Sequence, residues 1–316
     1  MGELAASRSE VVPHVLMLFL DGVGIGRMDS NTNPFFSTKM ESLRKILGGA
    51  MIHLDDCRRS DSGMSLVPLD ATLGLPGLPQ SGTGQTSLFT GLDAPRIIGK
   101  HFGPYPYSTL KPVIRDHNIF AKLKALGRSP LYANAFPKQY FEYIGGEKSR
   151  VTATTMSWMM AGYSLNDSTA LAAGRALSAD ITNERWDKLG YPSMPVISAQ
   201  DAGRRLVQLT RNHDFVLFEY YFTDKAGHNQ SMKEANQVLS KLDCLFEGIL
   251  DRFDHREMLL LVTSDHGNLE DLSTKSHTLN PVPLLALGAR HLEITRDAKN
   301  LTHVAPAILR LFQQGV

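Results

Sequence analysis

The fold is decided by the stretch at residues 259–268, LLLVTSDHGN, in which an apolar run stops at Asp265 and His266. Such a run predicts a buried parallel strand, and ligand crevices form at the carboxyl ends of these strands in open α/β sheets. Asp and His side chains are suitable ligands for Zn²⁺ or Mn²⁺. The stretch therefore predicts a strand that ends in two metal ligands, although a capping Asp and an exposed His would explain it equally well on their own.

Other candidate ligands also lie beside apolar runs. They are Asp21 after the run at 15–20, Asp224 and His228 after the run at 215–222, and His277 shortly before the run at 282–287. Because Asp224 and His228 are four residues apart, a turn or one helical step can bring both to one metal. Apolar strands alternate with amphipathic helices, which predicts an α/β fold with a mostly parallel central sheet flanked by helices on both faces.

The segment at 80–91, QSGTGQTSLFTG, places Ser81 just ahead of a predicted short helix. The free N–H groups and the partial positive charge at a helix N-terminus favour a phosphate or an ionised alkoxide, so Ser81 is a candidate nucleophile. A serine that only caps the helix is the alternative. The preceding stretch at 68–79 is rich in Gly, Pro and Leu, which predicts a loop.

The composition indicates a globular protein that acts on small molecules. The 316 residues are 42% hydrophobic and 21% charged, enough for one large domain or for a domain with an insertion. We interpret 1–136 and 197–316 as a metal-binding core and 137–196 as a small inserted cap. The net charge of +1 argues against a nucleic-acid partner, and the glycine spacing at 22–26 does not fit a dinucleotide fingerprint.

Two features of the sequence bear on the cellular compartment of the protein. Cys57 and Cys244 are the only cysteines, which is too few for a disulfide framework, and they form no CxxC pair. The segment at 1–14 has no pattern of an export signal, and the apolar run at 15–20 is too short for a membrane span. We therefore expect a cytoplasmic protein without a membrane anchor.

Taken together, these segments resemble the alkaline phosphatase superfamily of metalloenzymes, and within it the branch of cofactor-independent phosphoglycerate mutase and phosphopentomutase. The matching pieces, in family order, are Asp21-Gly22, Ser81-Gly82-Thr83-Gly84-Gln85, Asp224-x-x-Gly227-His228, Asp265-His266-Gly267-Asn268, and His277-Thr278 followed by Asn280-Pro281-Val282-Pro283. The resemblance implies an alkaline-phosphatase-like fold with two divalent metal ions, Zn²⁺ or Mn²⁺, with Mg²⁺ as a further option. It also implies the ligands, namely Asp21, Asp265, His266 and the oxygen of Ser81 for one ion, and Asp224, His228 and His277 for the other.

The resemblance further implies phosphoryl transfer through a phosphoserine at Ser81. Water would then release the phosphate, as in a phosphatase, or a second substrate hydroxyl would take it, as in a mutase. Gln85 stands where the phosphoglycerate mutases of this branch have a histidine, and the presumed cap lacks their arginine cluster. We therefore expect hydrolysis of a small phosphorylated metabolite ahead of mutase activity, and a non-catalytic metal-binding protein is the alternative from another class.

Several polar residues near these motifs are candidates for supporting roles. Lys100 and His101 follow the nucleophile helix, where they could bind the substrate phosphate, although surface solvation explains Lys100 equally well. Asn268, Glu270 and Asn280 lie among the candidate ligands and could orient imidazoles or a water molecule. Turn formation and helix capping compete with that role.

Overall fold

The computed structural model describes residues 12–147 and 149–314. Its strands are β1 (His14–Leu20), β2 (Arg59–Ser60), β3 (Met64–Leu69), β4 (Pro130–Tyr132), β5 (Asn134–Ala135), β6 (Leu177–Ser178), β7 (Phe215–Tyr220), β8 (Met258–Thr263) and β9 (Val282–Gly288). Seven of them form the central sheet in the order β2-β3-β9-β8-β1-β7-β4, and β5 pairs with β6 separately. Residues 1–11, which belong to the segment examined for an export signal, lie outside the described residues.

The helices of the described chain lie between these strands and after β9. They are α1 (Pro34–Ser37), α2 (Glu41–Ile46), α3 (Ser81–Thr90), α4 (Ala94–Ile98), α5 (Leu110–His117), α6 (Ile119–Ala125), α7 (Lys138–Ile144), α8 (Ala153–Met160), α9 (Ser168–Ala172), α10 (Ala199–Arg211), α11 (Phe222–Asn229), α12 (Met232–Leu250), α13 (His291–Thr295) and α14 (Val304–Gln313). A short 3₁₀ turn at Leu301–His303 precedes α14. Within the described part of the chain, no helix combines the length and the apolar character needed to cross a bilayer.

The direction of the strands brings the ends of several strands to one edge of the sheet. β8, β1, β7 and β4 run parallel to one another, whereas β9 is antiparallel to both β8 and β3. The carboxyl ends of β8, β1, β7 and β3 therefore lie at the same edge as the amino end of β9. The mostly parallel sheet that the sequence predicts is confirmed, with β2 and β9 as the reversed strands.

Both faces of the sheet are covered by helices, as the sequence predicts. Successive side chains of a strand point to opposite faces, and β1 shows this clearly. Leu16 and Leu18 belong to a core shared with α10 and α12, whereas Met17 and Phe19 belong to a core shared with α3, α6 and α14. Fully burying a side chain of this size contributes roughly 1.5–3 kcal/mol, so the two cores fix the central strands from both sides.

Part of the predicted loop at 68–79 is a strand. β3 extends to Leu69 and pairs with β9, and Pro68 faces Pro283 in the register. Both prolines lie next to the end of their strand, where the missing N–H groups disturb the hydrogen bonds of the sheet least. The rest of the segment leads from β3 to α3 and brings Ser81 to the edge where the other strands end.

The segment interpreted as the cap, residues 137–196, contains α7, α8, α9 and β6. β6 pairs with β5, and α8 packs against α3, α5 and α6. Trp158 of α8 contacts Phe120 of α6 edge to face, with the ring centroids 5.1 Å apart. This segment thus packs on the core beside the helix that begins at Ser81, and its division from the core as an inserted cap stays a prediction.

Candidate metal centre

The six predicted Asp and His ligands all lie at this edge of the sheet. Asp21 directly follows β1, Asp265 and His266 follow β8, Asp224 and His228 lie one turn apart on α11 after β7, and His277 precedes β9. Because β9 is reversed, its amino end meets the carboxyl ends of the other strands. The strand order therefore explains how residues far apart in the chain come together.

The side chain of Ser81 points to the centre instead of capping its helix. Gln80 occupies the N-cap position of α3, and Ser81 is the first helical residue. Its Oγ lies 3.0 Å from Nε2 of His266. Helix α3 approaches so closely that a Cβ added at Gly84 would lie 2.8 Å from the backbone oxygen of Asp265, which is why a glycine is needed there.

We call Ser81, Asp21, Asp265 and His266 the closed group. The His266 Nε2 atom lies 3.4 Å from Oδ1 of Asp21 and 3.7 Å from Oδ2 of Asp265, and the side chains of Asp265 and His266 are completely buried. These same two carboxylate oxygens are enclosed without a hydrogen-bond partner. Leaving such atoms unpaired is costly, so the closed group is built for something that the polypeptide alone does not supply.

We call Asp224, His228 and His277 the open group. Nε2 of His228 lies 3.4 Å from Oδ2 of Asp224, and Nε2 of His277 lies 3.8 Å from Oδ1. The Nδ1 atoms contact backbone carbonyl oxygens, at 3.0 Å from Lys275 and 2.7 Å from Pro79, so each Nδ1 carries a proton and donates it. The two Nε2 atoms lie only 3.3 Å apart, and both face the carboxylate of Asp224.

The charged groups in the centre strongly shift one another's pKa values. Burial, Asp265 and Asp224 raise the pKa of Asp21 well above its usual value, and burial likewise raises the pKa of Asp265. Burial would lower the pKa of His266, but the carboxylates of Asp265 and Asp21 outweigh it and raise that pKa to about 10. A protonated imidazole thus compensates buried negative charge, which is the role that a bound cation would take over.

The pKa values of the open group are shifted differently. Burial would raise the pKa of Asp224, but the hydrogen bond from His228 and the charges of His266 and His228 lower it to about 2. The same hydrogen bond raises the pKa of His228, whereas burial and His266 lower the pKa of His277 to about 4. His277 is therefore neutral at physiological pH, the form in which an imidazole binds a metal.

These donors fit divalent metal ions. Two sets of three ligand atoms each lie within 4.8 Å of one another, Asp224 with His228 and His277, and Asp21 with Asp224 and His266. Carboxylate oxygens with imidazole nitrogens suit Zn²⁺ or Mn²⁺, and the unpartnered oxygens of Asp21 and Asp265 would gain a partner. Asp224 belongs to both sets and lies between them, and the assignment of each ligand to one ion stays a prediction.

Three predicted supporting residues have well-defined contacts. Asn268 donates from Nδ2 to Oδ1 of Asp224 at 2.6 Å, so it touches a candidate ligand directly. Glu270 accepts hydrogen bonds from the backbone N–H groups of Gly24 and Asn268, both within 2.9 Å. Asn280 donates to Glu270 at 3.0 Å and so acts on the loops around the centre. These contacts are with a carboxylate, with backbone N–H groups and between two of the supporting residues, so the predicted role of orienting imidazoles or a water molecule stays a prediction.

Lys100 and His101 have contacts outside the two groups. The Lys100 ammonium lies 5.5 Å from the centre of the Phe102 ring and 5.3 Å from that of Tyr107. His101 Nε2 lies 3.2 Å from the carbonyl oxygen of Leu75 in the loop before Ser81. Their predicted role as substrate contacts stays a prediction.

Sequence reasoning missed one buried acid near the centre. Glu219 lies within β7 and is only 4% exposed, and its Oε2 accepts a 2.5 Å hydrogen bond from the Tyr132 hydroxyl. The signal in the sequence is a single acid inside the apolar run at 215–222. Such a residue requires partners, and these become visible only when β4 is placed beside β7.

Comparison with known proteins supports the same relationship. The chain matches the Metalloenzyme superfamily over residues 13–314. Over 130 residues, 38% of this chain, it is 30% identical to the 2,3-bisphosphoglycerate-independent phosphoglycerate mutase of Pseudomonas fluorescens. The corresponding protein of Pseudomonas aeruginosa is 31% identical over the same length. The matched region spans 25% of the length of these curated relatives.

Two solved structures share the fold over nearly the whole chain. The PH0037 protein from Pyrococcus horikoshii has a TM-score of 0.57 at 15% identity and covers 96% of this chain and 97% of its own. A TAB5 alkaline phosphatase mutant with Mg bound has a TM-score of 0.53 at 12% identity, covering 96% and 99% respectively. At these identities the likeness concerns the fold alone, and it confirms the alkaline-phosphatase-like architecture. Because the family match extends over almost the entire sequence, the chain belongs to the metalloenzyme superfamily, the superfamily of the alkaline phosphatases.

Proposed function

We propose that the protein catalyses two-metal-dependent phosphoryl transfer from a small phosphomonoester through a phosphoserine at Ser81, and that the outcome is hydrolysis. The observation that carries this proposal is the 3.0 Å distance between Ser81 Oγ and His266 Nε2 at the edge where both groups of Asp and His converge. Membership in the metalloenzyme superfamily supports the metal dependence. A buried serine among metal-type ligands is the arrangement expected of an activated nucleophile.

The two groups would divide the metal binding between them. The closed group, Ser81, Asp21, Asp265 and His266, would hold one ion, and the open group, Asp224, His228 and His277, would hold the other. When bound, the pair of ions would lower the pKa of the attacking hydroxyl and neutralise charge on the phosphoryl group. Asn268 would keep Asp224 in place through its 2.6 Å hydrogen bond.

The polypeptide itself contributes a binding place for the phosphoryl group. Ser81 and Gly82 are the first two residues of α3, so their N–H groups have no partner within the helix. The positive end of the helix dipole stabilises negative charge at the same place. His266 holds the Ser81 hydroxyl toward the centre, so the phosphoryl group bound to Ser81 would face these donors.

Mutase activity is the second candidate, and the identity to phosphoglycerate mutases favours it. Two features of this chain favour hydrolysis. Gln85 is buried in α3, where it lies 3.4 Å from the Thr154 hydroxyl of α8, and it offers no titratable group beside the nucleophile helix. The chain also has no arginine cluster in the segment at 137–196, where Arg150, Arg175 and Arg185 are scattered.

The test is an assay of the metal-loaded protein after its metal content has been measured. With about two Zn²⁺ or Mn²⁺ per chain, we expect release of inorganic phosphate from p-nitrophenyl phosphate and from sugar phosphates. Interconversion of 2- and 3-phosphoglycerate without free phosphate would replace hydrolysis by mutase activity. Bound metal without turnover of any ester would favour a non-catalytic metal-binding protein instead.

A further inference from the structure

A cavity of about 360 Å³ lies between the sheet and the segment at 137–196. We call it the cap cavity, and its lining includes Tyr132, Phe136, Tyr140, Arg185, Trp186 and Glu219. Small-molecule sites in proteins have volumes of about 300–1,000 Å³ and combine apolar walls with a few polar groups. The cap cavity has this size and this composition.

The cap cavity lies beside the candidate metal centre. Glu219 and Tyr221 line it and flank Tyr220, whose carbonyl oxygen accepts a 3.2 Å hydrogen bond from the N–H of Asp21. Thr155 of α8 also lines it, and the neighbouring Thr154 contacts Gln85 on the helix that begins at Ser81. A group attached to a phosphate at Ser81 therefore has this cavity next to it.

The walls of the cap cavity are aromatic. Phe136 and Tyr140 are stacked with their ring centroids 4.5 Å apart, and Trp186 contacts Tyr191 at 5.0 Å. Flat rings provide apolar contact area at little cost in conformational entropy. They suit the C–H faces of a sugar or a similar compact ring.

Two buried acids line this cavity, Asp180, which accepts hydrogen bonds from the Ser178 hydroxyl and from the N–H groups of Asn183 and Arg185, and Glu219. The carboxyl group of Glu219 accepts from Tyr132, and a carboxyl group has about four acceptor positions, so capacity remains for a ligand. Within the described chain no Lys, Arg or His forms an ion pair with it. Burial raises the pKa of Glu219 to about 8; the hydrogen bond from Tyr132 lowers this pKa, and the charge of Asp21 raises it. The carboxyl group is therefore neutral at pH 7 and can both donate and accept hydrogen bonds.

The one cation in the described lining does not reach this acid. The guanidinium of Arg185 lies 4.5 Å from the centre of the Phe222 ring, and its side chain is exposed. An anionic group of the ligand would thus face a carboxyl group and aromatic rings inside the cavity, where an unpaired charge is costly. Hydroxyl groups match the interior better, since they exchange hydrogen bonds with a neutral acid.

We propose that the cap cavity binds the alcohol part of the phosphomonoester as an uncharged, hydroxyl-bearing group such as a sugar, and that Glu219 determines the specificity for it. This proposal rests on the proposed phosphoryl transfer at Ser81. It names the class of substrate, whereas the metal centre defines only the reaction.

The test compares esters that share the phosphate and differ in the alcohol. Ribose 5-phosphate and glycerol 3-phosphate carry neutral hydroxyls, 3-phosphoglycerate adds a carboxylate, phosphoethanolamine adds an ammonium, and p-nitrophenyl phosphate has no hydroxyl. For the wild type we expect the highest kcat/KM with one of the first two. For Glu219→Ala we expect the ratio of kcat/KM for that ester to kcat/KM for p-nitrophenyl phosphate to fall by about 10-fold or more, because hydrogen bonds to hydroxyls are lost.

Two further variants exclude trivial explanations. The glutamine in Glu219→Gln is neutral and nearly isosteric with the protonated acid, so this variant should restore most of the kcat/KM ratio. Circular dichroism and metal content detect a folding defect in Glu219→Ala. Glu257→Gln alters an exposed glutamate before β8 and should leave the ratio unchanged. An unchanged ratio in well-folded Glu219→Ala, or a preference for phosphoethanolamine or 3-phosphoglycerate, would overturn the proposal while the function stands.

Failure of the proposed function would show differently. In that case the metal-loaded wild type turns over none of the esters, p-nitrophenyl phosphate included. Binding is then measured on the metal-free protein by tryptophan fluorescence, to which Trp186 in the cavity lining contributes, during titration with ribose 5-phosphate. Saturable binding that Glu219→Ala weakens would support the cap cavity as a sugar-phosphate site, and absence of binding would overturn it.

Discussion

The closed and open groups of the candidate metal centre use the same residue types, but the open group contains a strongly exposed ligand. In the closed group the side chains of Asp265 and His266 are 0% exposed, whereas His228 of the open group is 41% exposed. Asp265 and His266 follow a central strand directly, whereas His228 lies a full turn into α11. The difference teaches that one ion would be held by the rigid sheet, and the other by a helix and a loop that water reaches.

The largest effect is expected at the serine of the closed group. Ser81→Ala removes the hydroxyl that lies 3.0 Å from His266 Nε2, so we expect kcat/KM for p-nitrophenyl phosphate to fall by about 10³-fold or more. Acid quenching with ³²P-labelled ester should trap a phosphoserine in the wild type and none in the variant. Ser87→Ala on the same helix is the matched control, and a labelled phosphoserine in Ser81→Ala would disprove the assignment.

Metal affinity gives the direct comparison of the two groups. For Asp265→Ala we expect a loss of about 100-fold or more, since no water reaches that position to replace the carboxylate. For His228→Ala we expect about 10-fold, because water can take the place of an exposed imidazole. Competition with a chromogenic chelator measures both values, with exposed His117→Ala as the control. Equal losses would mean that burial does not distinguish the groups.

A smaller effect is expected from the contact between α3 and β8. In Gly84→Ala the new methyl group would lie 2.8 Å from the backbone oxygen of Asp265, so the helix must move away. We expect kcat to fall by about 10–100-fold, since displacement of a reacting group by about 1 Å has this effect. The exposed and unobstructed Gly127→Ala is the control for loss of a glycine, although its positive φ adds some backbone strain. Full activity of Gly84→Ala would show that the close approach is not required.

The sequence predicts the candidate ligands because strand ends are a local pattern. An apolar run that stops at Asp265 and His266 is recognisable without knowing the neighbours of the strand. Nothing in the chain, however, predicts that β9 is reversed and lies between β3 and β8. That order depends on how the two cores pack, and it is what brings His277 to the other ligands.

Residues that serve long-range contacts were beyond the sequence argument. Asp243 has the position of an ordinary acid on the surface of α12, yet it is 9% exposed and accepts hydrogen bonds from the N–H groups of Ser42 and Leu43 at 3.1 and 2.9 Å. It thereby provides hydrogen-bond acceptors for N–H groups in the first turn of α2, a role visible only when the two helices are placed together. Glu219 is a second case, since its partner Tyr132 comes from another strand.

The smallest effect is expected at Glu219, a buried acid that can be compared with the carboxylates of the closed group. Its carboxyl group forms no hydrogen bond with a candidate metal ligand. Its pKa lies at about 8 in the fold against a usual value of 4.5, so the folded state binds one proton more than the unfolded state between these pH values. The stabilising contribution is complete below pH 4.5 and is lost as the pH rises toward 8, by up to about 1.4 kcal/mol per pH unit. Urea unfolding of the metal-free protein at several pH values should show this slope in the wild type and in Glu257→Gln, and a flatter dependence in Glu219→Gln. If Glu219→Gln keeps the slope of the wild type, the loss of stability belongs to the carboxylates of the closed group, whose burial likewise disfavours their charge.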